Sequence, residues 1–437
     1  MQLPHNVLLC LQRLEEAGFP AYVVGGCVRD AVLGLQPHDF DMCTAALPEE
    51  ICRIFADFPL IHNGIKHGTV GVIFPGPEVY EITTFRTEGD YADSRHPDWV
   101  AFVPEVEQDL ARRDFTVNAM AYSPTRGFAD PFGGRQDLHQ GILRAVGEAP
   151  RRFTEDALRI LRGVRFAVTY GLQVEEETMQ AMISLAPRME HLARERVFEE
   201  LCKLLPKINA RQLAEFAPVL TQVLPELAPM RDFDQHNPHH LYDLYTHTAH
   251  VVEAVPADLT LRWAALLHDV GKIPTFVLDE KGCGHFRGHA EVSATMADEI
   301  LLRLKAPNDL RQQVTALIGL HMNWLLPEKK LVRRWLSRLG QQRLEQLLQL
   351  QQADMGSKGQ PEPLERFDDI RALIAEILEE NACLSLRDLA VNGNDLKALG
   401  YEGSAIGAAL NRLLEAVLEE KTENTRAALL AWLEETR

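Results

Sequence analysis

Cysteine is sparse: seven residues (Cys10, Cys27, Cys43, Cys52, Cys202, Cys283 and Cys383) are scattered over 437, and no two stand at CxxC spacing. Their odd number and wide separation argue against a disulfide framework or a cysteine zinc site, and fit reduced thiols in a cytoplasm. Long apolar runs are also missing. No stretch approaches the ~20 residues that span a bilayer, so no membrane partner is expected. Met1 to Cys10 carries no basic segment leading into an apolar run, so no signal peptide is expected. Positive charge is in deficit, with a formal net charge of −18. Such acidity argues against loose, non-specific nucleic-acid binding, and no DNA partner is expected. No internal repeat or low-complexity tract stands out.

What is present is a globular composition, 46% apolar, in a chain longer than one core needs. Two to four domains are expected from that length. The first 140 residues mix strand and helix signals. Residues 7–17 read as an amphipathic helix. Ala21–Val24 is a short apolar run ending in Gly25-Gly26, followed by a helix from Cys27 to Leu33. Phe40–Cys43 is a second strand candidate and Glu49–Phe55 a helix. Gly68–Phe74 and Val79–Arg86 read as strands joined at Pro75-Gly76-Pro77. The polar residues 87–99 lack periodicity and read as a mobile loop. Beyond 140 helical periodicity dominates, with breaks at Gly171, Pro187, Pro206, Pro218, Pro225 and Pro238.

The charge deficit is not uniform. Residues 144–165 hold six arginines against three acids. Phosphate binding depends on such local clusters, although a charge run is more often a solvated helix face.

Chemistry is concentrated in two places. In the first, a glycine pair at a strand-to-helix turn lets backbone approach a phosphate, with free N–H groups at the helix start. Gly26, with Arg29 one turn further on, forms this cradle. Asp39 and Asp41 follow at a strand start, and residues two apart on a strand face the same way. Two such carboxylates repel unless a divalent cation neutralises them. The pair suits two-metal phosphoryl transfer, with Glu81 as the candidate third carboxylate. A glycine pair or a DxD alone is weak; both in order, within about twenty residues, are stronger.

The run Gly25-Gly26-Cys27-Val28-Arg29-Asp30, then Asp39-Phe40-Asp41, resembles the opening of class II tRNA nucleotidyltransferases (CCA-adding enzymes) and bacterial poly(A) polymerases, of the polymerase-beta-like superfamily. The likeness continues in Asp109–Ala121 (DLARRDFTVNAMA), in Glu155–Phe166 (EDALRILRGVRF), and in Glu195-Arg196 with Glu200. It implies an α+β architecture: a mixed-sheet head followed by helices. It implies Mg²⁺ at Asp39 and Asp41, with tRNA, CTP and ATP as partners. Residues 155–165 read as one helix, with Asp156 and Arg159 sharing a face. The family uses the matching pair to read the incoming base, and residues matching Arg113, Arg162 and Arg165 to contact the nucleotide. A carboxylate accepts from the exocyclic amine of cytosine or adenine, while uracil sets oxygen against oxygen, at about 1–3 kcal/mol per lost bidentate pair. Alone, Asp156 and Arg159 would read as an ordinary exposed ion pair.

The second place is a histidine-rich stretch from Gln235 to His321. His268-Asp269, with Lys272, His247 upstream and Asp354 downstream, resembles the HD phosphohydrolases. His289 and His321 resemble the subset able to hold two metals. The choice of His247 over His250 rests on the resemblance; His239, His240, His250 and His285 read as surface or hydrogen-bonding histidines. The ligand types suit Mn, Ni, Co or Fe. The amino-terminal helix and the carboxyl-terminal segment look more like the Gram-positive type of CCA-adding enzyme than the enterobacterial type, which carries HD hydrolase activity, so the substrate here stays open.

The expected order is a nucleotidyltransferase head (1–140), a helical neck (141–225), an HD-like module (226–375) and a helical tRNA-binding tail (376–437). The alternatives are a poly(A) polymerase or an A-only or CC-only enzyme, and a metal phosphohydrolase whose head only binds RNA.

Overall fold

The structure, a computed structural model, describes residues 1–76, 78–88, 100–237, 241–359 and 363–436. Pro77, the stretch 89–99, Pro238, His239 and His240 lie outside the described residues. The chain divides into two compact units, residues 1–208 with 215–228, and residues 209–214 with 229–437.

The first unit is built on a seven-stranded mixed sheet. Its order is Leu60–Ile61, Thr69–Ile73, Val79–Thr84, Met42–Thr44, Ala21–Val24, Ala121–Ser123 and Gly127–Ala129. All four residues of Ala21–Val24 are buried, as a central strand covered on both faces requires. Met42–Thr44 pairs antiparallel with Ala21–Val24 and parallel with Val79–Thr84. Helix His5–Glu16 buries Val7, Cys10, Leu11 and Leu14, the i, i+3, i+4, i+7 stripe expected of an amphipathic helix. Tyr22, Val24, Cys43, Phe85, Leu110 and Ala121 join in the core beneath the sheet.

The chain then turns helical. Helix Leu158–Tyr170 packs against helix Arg194–Leu204. Gly163 permits the close approach of Phe115, because a β-carbon there would lie 2.9 Å from the ring.

Four expectations are corrected. The run 155–165 is not one helix: it breaks between helices Ala149–Glu155 and Leu158–Tyr170, with Asp156 extended at φ −142°. The Asp156 side chain takes the Leu158 backbone N–H at 2.9 Å, the competition with the helix ladder that short acidic side chains offer. The second strand is Met42–Thr44, so Asp39 and Asp41 precede it rather than open it. Strand also persists past residue 140, in the pairs Ile142–Leu143 with Gln173–Val174, and Val277–Leu278 with Gly284–His285. Arg86–Glu88 pairs with Val100–Phe102, so the polar stretch begins within a strand.

Among the described residues, the second unit's regular structure is helical apart from that hairpin. Helices Leu244–Ala254, Leu259–Leu267, His289–Arg303, Asn308–Leu320 and Lys329–Gly356 pack around a buried polar centre. Near its end Leu396, Leu413, Leu429 and Leu433 form a separate small core. Among the described residues no helix is long and apolar enough to cross a membrane.

Candidate functional sites

At the head, the chain leaves strand Ala21–Val24 at Gly25, whose φ of 76° and ψ of −124° suit glycine alone. A β-carbon there would also sit 2.8 Å from Arg113 Nη1. Gly26 opens helix Gly26–Val32. Arg29 is 6% exposed and held on every side. It donates from Nη1 to Asn118 (2.5 Å), from Nε and Nη2 to Asp30 (2.9 and 2.8 Å), and from Nη2 to the Tyr170 hydroxyl. The Tyr170 ring lies 4.2 Å from its guanidinium carbon. So pinned, Arg29 braces the glycine turn.

Asp39 and Asp41 are exposed residues at the approach to Met42–Thr44, and the Asp41 carbonyl accepts from Val24 N at 3.0 Å. Protein packed around the Asp41 carboxyl raises its pKa; Arg113 pulls it back and Asp39 pushes it further up. Met42 pairs with Ile82, and both side chains are buried. Asp41 stands one residue before Met42 and Glu81 one before Ile82, so the two flank the same end of this parallel ladder. Glu81 is exposed. The three carboxylates are not among the clusters whose ligand atoms converge within 4.8 Å. Arg113 donates to Asp109 (3.4 Å), while its buried Nε has no partner among the described residues.

On the neck, Asp156 and Arg159 do not pair with each other. Asp156 accepts from Arg196 at 3.0 Å, and Arg159 donates to Glu155 at 2.9 Å and to the Arg112 carbonyl at 3.0 Å. Arg162 donates to Asp114 at 2.8 Å and Arg165 to Glu200 at 2.5 Å. The motif residues Arg196 and Glu200 thus orient Asp156 and Arg165, while Glu195 is exposed.

Asp114, Asn118, Glu155 and Tyr170 were given no role from sequence. Asp114 accepts from Arg162 and, at 3.0 Å, from Asn118, which itself accepts from Arg29. A buried chain thus joins neck arginine to glycine turn. The i, i+4 spacing of Asp114 and Asn118 was visible; their partners 48 and 89 residues away were not.

Burial opposes the Asp114 charge, but Arg162 and Asn118 outweigh it and hold its pKa at about 2, against an ordinary 3.8. A carboxylate depressed in this way contributes stability above its unfolded pKa and loses it as pH falls through the folded one. Just under two units, at about 1.4 kcal/mol each, amounts to roughly 2 kcal/mol. Asp114→Asn is expected to lower stability at neutral pH and to flatten its decline between about pH 4 and pH 2. Denaturant unfolding across that range checks this; an unchanged slope contradicts it.

In the second unit, six side chains from five helices or their ends converge: His247, His268, Asp269, His289, His321 and Asp354. All are buried. They form two triads of potential ligands, His247 with His268 and Asp354, and Asp269 with His289 and His321. His247 Nε2 lies 3.1 Å from Asp354 Oδ1 and 3.5 Å from Asp269 Oδ2. His289 Nε2 lies 3.4 Å from Asp269 Oδ1 and 3.3 Å from His321 Nε2. His250 stands apart, its ring 4.8 Å from that of Tyr242. His285 bonds Asp279 at 2.9 Å on the exposed hairpin, where Cys283 also approaches them.

The ring orientations are informative. Each Nδ1 meets a backbone carbonyl: Ser357 at 3.1 Å, Ala265 at 2.8 Å, Phe286 at 2.8 Å and Ile318 at 2.6 Å for His247, His268, His289 and His321. A carbonyl only accepts, so the hydrogen sits on Nδ1 and the Nε2 lone pair turns inward, the arrangement of a metal-ligating imidazole. His268 Nε2 is 3.2 Å from Asp269 Oδ2, and among the described residues this nitrogen has no hydrogen-bond donor. A buried imidazole lone pair turned towards carboxylates fits a cation between them.

Lys272 Nζ reaches Asp269 at 2.8 Å and Gln235 at 3.0 Å. Burial disfavours a charged His268, but Asp269 and Asp354 outweigh it and raise its pKa; at His321, burial and then His268 push it down to about 4. A cleft of roughly 500 Å³, bordered by Lys272, Arg287, Trp324 and Lys358, opens onto Asp269, His289 and Asp354.

Comparison with known proteins follows this division. Residues 21–144 match a family model described as the poly A polymerase head domain. Residues 171–230 match a probable RNA- and SrmB-binding site of polymerase A, and residues 286–433 a putative tRNA nucleotidyltransferase domain 2. A CCA-adding enzyme of Streptococcus pneumoniae (strain CGSP14) is 36% identical over 441 residues, spanning 99% of this chain and 97% of that protein. The crystal structure of the Bacillus stearothermophilus CCA-adding enzyme in complex with CTP has a TM-score of 0.72 at 30% identity, covering 100% of this chain and 98% of the other. The Thermotoga maritima CCA-adding enzyme complexed with tRNA shares the fold, with a TM-score of 0.60 at 20% identity over 100% and 97% of the two chains.

Proposed function

This chain belongs to the CCA-adding enzymes, and on that premise we propose that it adds C, C and A to the tRNA 3′ end from CTP and ATP, without a nucleic-acid template. The observation that carries this reading is likeness to a CCA-adding enzyme along 99% of the chain. The local chemistry supports it: a glycine turn beside an Asp-x-Asp pair, in one unit with an acid–arginine reading pair.

CCA-adding enzymes depend on a divalent metal; Mg²⁺ at Asp39 and Asp41, with Glu81 at the edge, is our assignment. The Asp41 carboxyl, burdened by burial and by Asp39, fits a site completed by a cation. Such a cation supplies the charge that activates the 3′-hydroxyl and steadies the leaving pyrophosphate.

The protein's own groups do the rest. Gly26 and the turn braced by Arg29 admit the triphosphate, with the Arg113 guanidinium beside it. Asp156 keeps acceptor capacity beyond its bonds to Leu158 N and Arg196, and meets the exocyclic amine of cytosine or adenine. Arg159, steadied by Glu155, donates to the same edge, and Arg162 and Arg165 complete the contact. In this reading residues 1–140 act as head, 141–225 as neck, 226–375 as HD-like module and 376–437 as a tRNA-gripping tail. The setting we assign is the cytoplasm, in keeping with seven unbonded cysteines.

Feeding decides the reading. Trimmed tRNA with CTP alone is expected to gain C residues, and with CTP plus ATP to end in CCA. Long A tails with ATP alone would instead indicate a polymerase.

A second chemistry is favoured by the inward-facing histidines of the second unit. We assign His247, His268, Asp269, His289, His321 and Asp354 to a two-metal phosphohydrolase centre, with Mn, Ni, Co or Fe as candidate ions. These residues would hold the metals, which would supply Lewis-acid activation of water for phosphate-ester hydrolysis.

A further inference from the structure

A recess of roughly 450 Å³ lies in the first unit, with the base-reading Arg159 in its lining. Arg112, Arg151, Arg152 and Arg159 line it, with Glu148 and Glu155 as its acids. Three of those guanidiniums converge on one carboxylate: Glu155 lies 3.3 Å from Arg151, 2.6 Å from Arg152 and 2.9 Å from Arg159. Arg112 pairs with the buried Asp109 at 2.9 Å, but Asp109 is shared with Arg113. Among the described residues, the lining holds four cations and two acids. In a chain of net charge −18, that is a local reversal of sign.

We propose that this recess is an anion site holding a backbone phosphodiester of the RNA strand being extended, distinct from the place of the incoming triphosphate. Consecutive side chains separate the two. Arg113 turns to Gly25 and Asp41, while Arg112 turns to the recess. Arg152 and Arg159 are each 7% exposed and fixed by Glu155 and by the Ala111 and Arg112 carbonyls, so the floor is preformed. Gln108 and Thr87 add uncharged hydrogen-bonding groups at the wall. The volume suits one sugar-phosphate unit within the usual ~300–1,000 Å³ of small-ligand sites. The inference rests on the reading that RNA is the substrate.

Two surface substitutions of opposite sign test it. The Arg151 side chain is 74% exposed, and Glu148 is exposed and makes no capping bond, so both variants should fold. Arg151→Gln is expected to weaken trimmed-tRNA binding about five-fold near 0.15 M salt and to reduce the log–log salt slope by about 0.7–0.9. Glu148→Gln is expected to tighten it by a similar factor. The KM for CTP should stay within about two-fold in both. If tRNA affinity is indifferent to both changes while the unaltered enzyme still extends tRNA, the recess proposal falls and CCA addition stands. If the KM for CTP moves instead, the recess belongs to the nucleotide. If the unaltered enzyme extends nothing, the underlying reading falls first.

Discussion

Asp41→Ala is expected to cut nucleotide addition by roughly 10³-fold or more while the protein stays folded. A positioned cation contributes several kcal/mol of transition-state stabilisation, and about 4 kcal/mol is three powers of ten in rate. Asp41 is where that charge is called for: although the residue is solvent-accessible, protein packed around its carboxyl raises its pKa, Arg113 pulls it back and Asp39 pushes it further up. Stability should hardly change. The bond from Val24 to residue 41 uses its backbone carbonyl, which alanine retains, and the residue is exposed. Asp41→Asn keeps the shape, removes the charge and should lose as much. Single-turnover extension of trimmed tRNA, read beside a thermal melt, measures both effects. A variant that melts like the parent and keeps more than about a tenth of its rate would remove Asp41 from the chemistry.

Asp269→Asn should have the opposite selectivity. Asp269 faces both triads, Oδ1 towards His289 and His321, Oδ2 towards His247, His268 and Lys272. Its loss is expected to lower bound divalent metal and to reduce hydrolysis of bis-p-nitrophenyl phosphate on the order of 10³-fold. Transfer of C and A to tRNA should remain within about two-fold, because Asp41 and its partners lie in the other compact unit. Asparagine is preferred to alanine because its amide oxygen can still accept from the buried Lys272, which alanine would leave with Gln235 alone. Metal analysis after dialysis is independent of activity. An unaltered protein that retains no Mn, Ni, Co or Fe, or a variant that hydrolyses as fast as its parent, contradicts the two-metal assignment.

Much of the first site was legible because its residues are close in sequence. Strand, glycine turn and helix over 21–32 need only local rules: an apolar run, a residue tolerant of positive φ, then helical spacing. The histidines were legible for another reason. The His-Asp pair resembles that of the HD phosphohydrolases, that resemblance supplied the rest of the ligand set, and the six residues fall into two neighbouring triads in the structure. The helix through Asp156 was misread because periodicity records side-chain type but not the capping bond to Leu158 that breaks the ladder. The hairpin Val277–Leu278 with Gly284–His285 escaped because two-residue strands carry no period.

The sequence by itself supplied the groups on which the proposed chemistry rests, since carboxylate pairs, glycine turns and histidine-rich stretches are properties of residue type and short spacing. Only the tertiary structure decided how those groups are held. Arg159 answers to Glu155 and not to Asp156, Asp114 links Arg162 to Asn118, and four imidazoles turn Nε2 inward on backbone carbonyls. Those choices depend on which partner lies within about 3 Å after folding, and hydrogen bonds and ion pairs weaken too steeply with distance and angle for spacing along the chain to foresee them.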